Sequence, residues 1–213
     1  MNIVIAGGHG KIAMGLHPIL VGLGHKVRGL IRNPAQADDL RAAGAKPVVC
    51  DLEQTEDISH AVGRADAVIF AAGAGPSSDV ERKRSMDRDG AIKLIIAAQA
   101  NGIYRYLMIS TFHADRPHGS EGFQNYMRAK AEADAVLCAS GLAYTIIRPG
   151  RLTDDPKTGR IYLAPWLKGA DVPRADVAAL LAACLDNDRS IGHIWEVTSG
   201  NIAIADAIAQ APD

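Results

Sequence analysis

Two short stretches of the 213-residue chain carry residue types that can do chemistry at their spacing. The first is Gly7-Gly8-His9-Gly10-Lys11-Ile12-Ala13, directly after the apolar run Ile3 to Ala6. It satisfies both GxxGxxA and GxGxxA. Glycine lets a backbone turn tightly and approach a pyrophosphate, whose charge the free N–H groups and dipole of a following helix start stabilise. The small third residue lets helix pack closely on strand. Glycine also serves turns with no such duty, but the position after a first strand points to a dinucleotide. The second stretch is Tyr126-Met127-Arg128-Ala129-Lys130. Residues four apart share a helical face. A lysine ammonium near a phenol favours phenolate, lowering a pKa that starts near ~10, and can also hold a ribose. The tyrosine then gives a proton to a carbonyl oxygen as hydride arrives. A hydroxyl at a neighbouring strand end, from Ser110-Thr111, would orient that carbonyl. An ordinary amphipathic helix, with Tyr126 packed and Lys130 solvated, meets the same spacing.

Other residues bear on which nucleotide would be held. The second strand ends Leu30-Ile31-Arg32-Asn33, without the carboxylate that accepts from the ribose hydroxyls of NAD. The Arg32 guanidinium can pair with a 2′-phosphate and stack on adenine, which favours NADP(H) over NAD(H). Asp51-Leu52 follow the third strand; the carboxylate can accept from an adenine amino group or cap a helix. Ala71-Ala72-Gly73 close the fourth strand with small residues against which a ribose can lie, although tight packing explains them too. His9 sits in the phosphate turn, as a pyrophosphate contact or an exposed side chain. His113 and His118 fall in a loop beside Thr111, and Arg151 could meet an acidic substrate. Pro165-Trp166 suit either a small lid or the core. The seven histidines form no metal-ligand cluster, so no metal is expected.

These residues need a frame. Short β-rich runs alternate with helical patterns, the rhythm of β-α-β units and hence of a doubly wound parallel sheet in three layers, α/β/α. Strands fit residues 3–6, 26–31, 47–50, 67–71, 104–109, 144–147 and 194–197. Helices fit 11–23, 35–43, 80–101, 123–140 and 174–186. Pro18 predicts a local bend, with Gly15 leaving room. The loops Ala74 to Asp79 and Phe112 to Gly122 would lie at the functional edge of the sheet.

Composition excludes several classes. With 48% hydrophobic and 22% charged residues the chain is neither disordered nor membranous. Its net charge of −1 offers no global field for nucleic acid or anionic lipid, although small acidic ligands can be held locally. Cys50, Cys138 and Cys184 are odd in number and far apart, as in a reduced cytoplasmic protein. No signal peptide is evident at the N-terminus. The length suits one domain, a monomer or homodimer, over residues 1–213, with 151–213 forming the small substrate-side part and a C-terminal lid.

Together "GGHGKIA", "LIRNP", "AAG", "YMRAK" and "SGLAYTIIRPGRL" resemble the short-chain dehydrogenase/reductase superfamily, and within it the atypical NAD(P)H-binding, epimerase-like branch. The resemblance implies a Rossmann-like fold. It implies cofactor contacts from Gly7, His9, Gly10, Lys11, Ile12, Arg32, Asp51, Leu52, Ala71, Ala72, Gly73, Ser110, Lys130, Pro149 and Gly150. It also implies a catalytic set of Thr111, Tyr126 and Lys130, with Thr111 preferred to Ser110 because the active hydroxyl of extended members is the last of this run. The expected activity is NADPH-dependent hydride transfer to a small carbonyl or related acceptor. The alternatives are an NADP(H)-binding redox sensor resembling the NmrA-like regulators, and a small epimerase or isomerase. The 63 residues after Gly150 are too few for the substrate domain of nucleotide-sugar enzymes.

Overall fold

Ile3, Val4, Ile5 and Ala6 of β1 (Asn2–Ala6) are all fully buried, as befits a parallel strand with helices on both faces and no wet side. The structure is a computed structural model and describes residues 1–75 and 79–212, so residues 76–78 of the loop expected between Ala74 and Asp79 lie outside the described residues. After β1 come α1 (Lys11–Gly22), β2 (Lys26–Ile31), α2 (Ala37–Ala42), β3 (Lys46–Val49), α3 (Ser59–Val62), β4 (Ala67–Phe70), α4 (Val80–Lys83), α5 (Ala91–Ala100) and β5 (Arg105–Ile109). They are followed by α6 (Glu121–Ala139), β6 (Ala143–Pro149), β7 (Arg151–Thr153), β8 (Arg160–Ala164), β9 (Asp171–Pro173), α7 (Arg174–Leu185), β10 (His193–Ser199), β11 (Ile202–Ala203) and α8 (Ile204–Gln210).

The main sheet runs β11-β8-β10-β6-β5-β4-β1-β2-β3, parallel from β3 to β10 and antiparallel at β8 and β11. One apolar layer packs α1, α7 and α8 on Ile3, Ile5, Ile69 and Leu107. The other packs α5 and α6 on Val4, Ala6, Phe70 and Met108. This is a Rossmann-like α/β/α fold. The chain leaves β1 for β2 and β3 on one side and returns to β4 on the other; that reversal opens a crevice at the carboxyl ends of the strands. No helix among the described residues is long and apolar enough to cross a membrane.

At the opposite edge, the first residue of β5 is a buried arginine. The Arg105 guanidinium donates to the Ala143 carbonyl at 2.8 Å, the Thr145 hydroxyl at 2.8 Å, the Cys184 carbonyl at 2.7 Å and the Ser190 hydroxyl at 2.8 Å. It thereby ties β5 and β6 to the end of α7.

Several elements depart from the sequence pattern. The helix expected over 80–101 is broken into α4, a seven-residue π-helical stretch Arg84–Gly90 and α5. The wider stretch turns Met86 and Asp87 inward. The helix expected over 35–43 begins as a 3-10 turn, Pro34–Gln36, capped by the Asn33 side chain, which accepts from the Ala35 N–H at 3.0 Å. Pro18 is accommodated on the exposed side within α1, and Gly15 serves helix packing, a Cβ there lying 3.7 Å from Ala178. β10, β8, β11 and α7 from the C-terminal segment complete the layers, while the loop after β8 meets the loop after β5 at the carboxyl edge.

Candidate active site

The turn between β1 and α1 is too tight for side chains. Gly7 has φ +79°, and a Cβ on it would lie 2.6 Å from the Ala72 Cα; on Gly8 it would lie 2.7 Å from the Gly29 Cα. The Gly10 N–H closes the turn on the Gly7 carbonyl at 2.9 Å. Beneath it, buried His17 of α1 donates from Nε2 to the Gly8 carbonyl at 2.7 Å. Burial lowers the His17 pKa, so a neutral imidazole braces the turn. The N-terminus of α1 has neither a side-chain cap nor an acidic residue in its first turn, leaving its N–H groups and positive dipole end available.

These atoms form one wall of an open cleft of about 210 Å³ at the β1/β4 reversal. Gly7, His9, Gly10, Arg32, Asp51, Leu52, Ala71, Ala72 and Gly73 all line it, and so do Arg82 and Met86, which the sequence reading did not single out. At one end Arg32 Nη1 and Arg82 Nε both stand 3.5 Å from Glu53 Oε2, while the Ser85 hydroxyl donates to Glu53 Oε1 at 2.8 Å. Asp51 caps its own turn by accepting the Glu53 N–H at 2.9 Å, so it is a turn cap at the cleft wall rather than a helix cap. His9 Nε2 is 2.7 Å from Asp39 of α2, which turns it towards α2. Cys50 also lines the cleft, its thiol pKa raised by burial.

The second half of the site lies where β5 and α6 meet. Ser120 caps α6, accepting from the Phe123 N–H. Tyr126 is partly exposed, and its hydroxyl takes no hydrogen bond among the described residues; the same is true of the Thr111 hydroxyl. The neighbouring Ser110 differs: it is buried and donates to Asp134 Oδ2 at 2.9 Å, an oxygen shared with Arg148 Nε at 3.0 Å. Burial outweighs both partners and holds the Asp134 carboxyl above its usual range. The Ser110 hydroxyl, a residue expected at the cofactor, is thus engaged in a buried structural bond, while the Thr111 hydroxyl has no such bond among the described residues. Around Tyr126 the rings of Phe123, His118, His113 and Trp166 follow one another at centroid spacings of 5.7–6.2 Å. Buried Glu196 of β10 fixes this wall by accepting the N–H groups of His113 and Leu167. Trp166 thus belongs to the loop wall, not the core.

Lys130, one turn below Tyr126, is buried. Its ammonium is 3.1 Å from Asp87 Oδ1, donates to the Ile109 carbonyl at 3.1 Å and stands 5.5 Å from the centre of the Phe70 ring. Burial alone would lower its pKa; the carboxylate of Asp87, with Tyr126 and Asp134, reverses that and raises it, so the charge is retained. Lys130, expected in the catalytic set and at the cofactor, is an internal cation and not the solvated lysine of an ordinary amphipathic helix, and it does not line the cleft.

Four further expected contacts lie outside the cleft lining. Lys11 is exposed and pairs with Asp154 at 2.5 Å, while Ile12 is buried in the α1 core. Pro149 and Gly150 end β6. Glycine is required there by the chain itself, since a Cβ on Gly150 would lie 2.0 Å from the Ala170 carbonyl oxygen.

Known proteins resemble this chain in sequence and fold. A family model described as NAD(P)H-binding matches residues 7–188. A Bacillus subtilis protein named an uncharacterized sugar epimerase is 37% identical, over 98% of this chain and 99% of its own. A Bacillus halodurans structure named, provisionally, as an NAD-dependent epimerase/dehydratase superposes with a TM-score of 0.93 at 37% identity, covering 99% of each chain. The Lactococcus lactis oxidoreductase ylbE superposes with a TM-score of 0.85 at 29% identity, over 98% of this chain and 95% of that one.

Proposed function

Because the chain belongs to the NAD(P)H-binding family of short-chain dehydrogenase/reductase-like Rossmann proteins, we propose that it is an NADPH-dependent oxidoreductase that reduces a small carbonyl or related acceptor. The observation that carries this reading is the Tyr126 hydroxyl, without a hydrogen-bond partner among the described residues, one helical turn from a buried lysine that keeps its charge, at the same strand edge as a glycine-walled cleft. The cleft fits the nucleotide: Gly7, Gly10 and Ala71 to Gly73 line it with backbone and small side chains, and α1 begins without a cap.

In this reading the N–H groups of α1 hold the pyrophosphate, Arg32 the adenosine end, and Ala71 to Gly73 the ribose side. Bound NADPH supplies the hydride. Tyr126 gives its phenolic proton to the acceptor oxygen, and Thr111 donates a hydrogen bond that orients the same oxygen. Lys130, anchored by Asp87, stabilises the phenolate left behind. A monomer or homodimer in the cytoplasm, acting on a small-molecule substrate, completes the proposal.

The test is loss of NADPH absorbance on adding aldehydes, ketones, quinones or flavins. Tight NADP(H) binding without turnover of any acceptor would replace this reading with a sensor. The names of the Bacillus relatives favour a second reading, an epimerase that uses the nucleotide transiently; it predicts an isomerised product with no net NADPH loss.

Two variants test the cleft directly. Arg32→Glu should abolish most of the preference for NADPH over NADH, a change of roughly 1.5 to 3 kcal/mol in relative binding. Equal affinities in the unaltered protein would sink the assignment. Gly10→Val places a branched side chain in the turn, where a Cβ is already 3.2 Å from the Gly7 carbonyl oxygen. NADPH titration should show affinity lowered about tenfold or more, with a near-normal melt. Unchanged affinity in a folded variant would make the turn structural only.

A further inference from the structure

We propose that Arg82 is a second guanidinium for the 2′-phosphate of the nucleotide and that Glu53 is an internal anion which this phosphate must displace. The inference rests on the NADP(H) reading of the cleft and goes beyond it in naming the residues that set its selectivity.

Arg32 and Arg82 come from different sides of the cleft, the end of β2 and α4, and converge on one carboxylate oxygen, Glu53 Oε2, each at 3.5 Å. That distance is too long for a strong charge-assisted hydrogen bond. The Arg82 Nε is buried and has no hydrogen-bond partner among the described residues. A desolvated N–H left in this state is costly, and an anion with better geometry would relieve it. Two guanidiniums against one carboxylate leave an excess of one positive charge, whereas a phosphomonoester brings about −1.5 to −2. With Glu53 still between the arginines the phosphate meets like charge. With Glu53 withdrawn the two forks are free for its oxygens.

The structure supplies a place to withdraw to. Ser85, in the π-helical stretch, already donates to Glu53 Oε1 at 2.8 Å. The carboxylate can keep this bond while its other oxygen leaves the arginines. Glu53 then does two things: it neutralises the arginines of the empty site, and it weakens the affinity for a 2′-phosphate. An unphosphorylated ribose neither gains from Arg82 nor needs Glu53 to move.

Calorimetric titration with 2′,5′-ADP and with 5′-AMP tests this without turnover. The unaltered protein should prefer 2′,5′-ADP. Arg82→Gln should lose about 10- to 100-fold in affinity for 2′,5′-ADP and leave 5′-AMP unchanged. Glu53→Gln, which keeps the acceptor for Ser85 but removes the charge, should gain about fivefold for 2′,5′-ADP alone. Melting curves of both variants report the fold, and Arg82→Lys keeps a charge without the planar fork and should be intermediate. No preference in the unaltered protein would overturn the NADP(H) reading itself. A preference that survives Arg82→Gln, or that falls in Glu53→Gln, would overturn the present inference while leaving that reading in place. Loss of 5′-AMP affinity in Glu53→Gln would also overturn it, making Glu53 a ribose ligand.

Discussion

Replacing Tyr126 with phenylalanine should leave the fold and NADPH affinity intact and lower kcat for any accepted substrate by about 100-fold or more. Only a hydroxyl is removed, and that hydroxyl holds no other part of the protein among the described residues. Its loss therefore reports chemistry, with little contribution from stability. Full activity in Tyr126→Phe would reject the mechanism. Thr111→Ala should lower turnover with NADPH binding retained, for the same reason. Lys130→Met is a less selective probe. It strips Asp87, itself 1% exposed, of its cation, so a stability loss of roughly 3–5 kcal/mol should accompany the loss of activity. A double variant, Lys130→Met with Asp87→Leu, should recover much of that stability and none of the turnover.

Arg105→Met should cost about 3 kcal/mol or more of folding stability while leaving the affinity of the folded protein for NADPH unchanged. The guanidinium is the donor for three buried carbonyls and two buried hydroxyls, and methionine supplies no substitute. For a chain of this size the melting temperature should fall by roughly 6–12 °C. The site lies at the amino edge of β5, across the sheet from the cleft, so cofactor titration serves as the internal control. A loss under about 1 kcal/mol would mean that water replaces the guanidinium at little cost.

The contrast between these two sites shows what a linear sequence carries. The glycine turn, Arg32, Asp51-Leu52 and Ala71 to Gly73 were legible because each sits where a strand ends, and strand ends in a parallel sheet come to one edge. β2 was legible to the residue, since the run Lys26 to Ile31 is bounded by Gly24 and Pro34. What was not legible depends on side chains meeting across the fold. No spacing rule connects Lys130 to Asp87, Ser110 to Asp134, or Arg82 to Glu53. Nor does composition mark the π-helical stretch, whose only apolar side chain is Met86 and which therefore carries no periodicity to read. The strand β8, one in from the edge, escaped for another reason: it buries only alternate residues, Ile161 and Leu163, and five residues of such alternation are a weak signal.

The position of β10 bears on how the molecule is made. It pairs with β6 in parallel and with β8 in antiparallel fashion, although some forty residues separate it from the former. During synthesis the strands of the crevice, β1 to β6, leave the ribosome with one flank open, and Ile146 and Ile147 of β6 wait beside an empty rung. An open strand of that kind recruits other chains. Chains that stop before His193 should therefore aggregate even though they contain every residue assigned to catalysis, and adding back residues 193–213 should be what makes them yield folded protein.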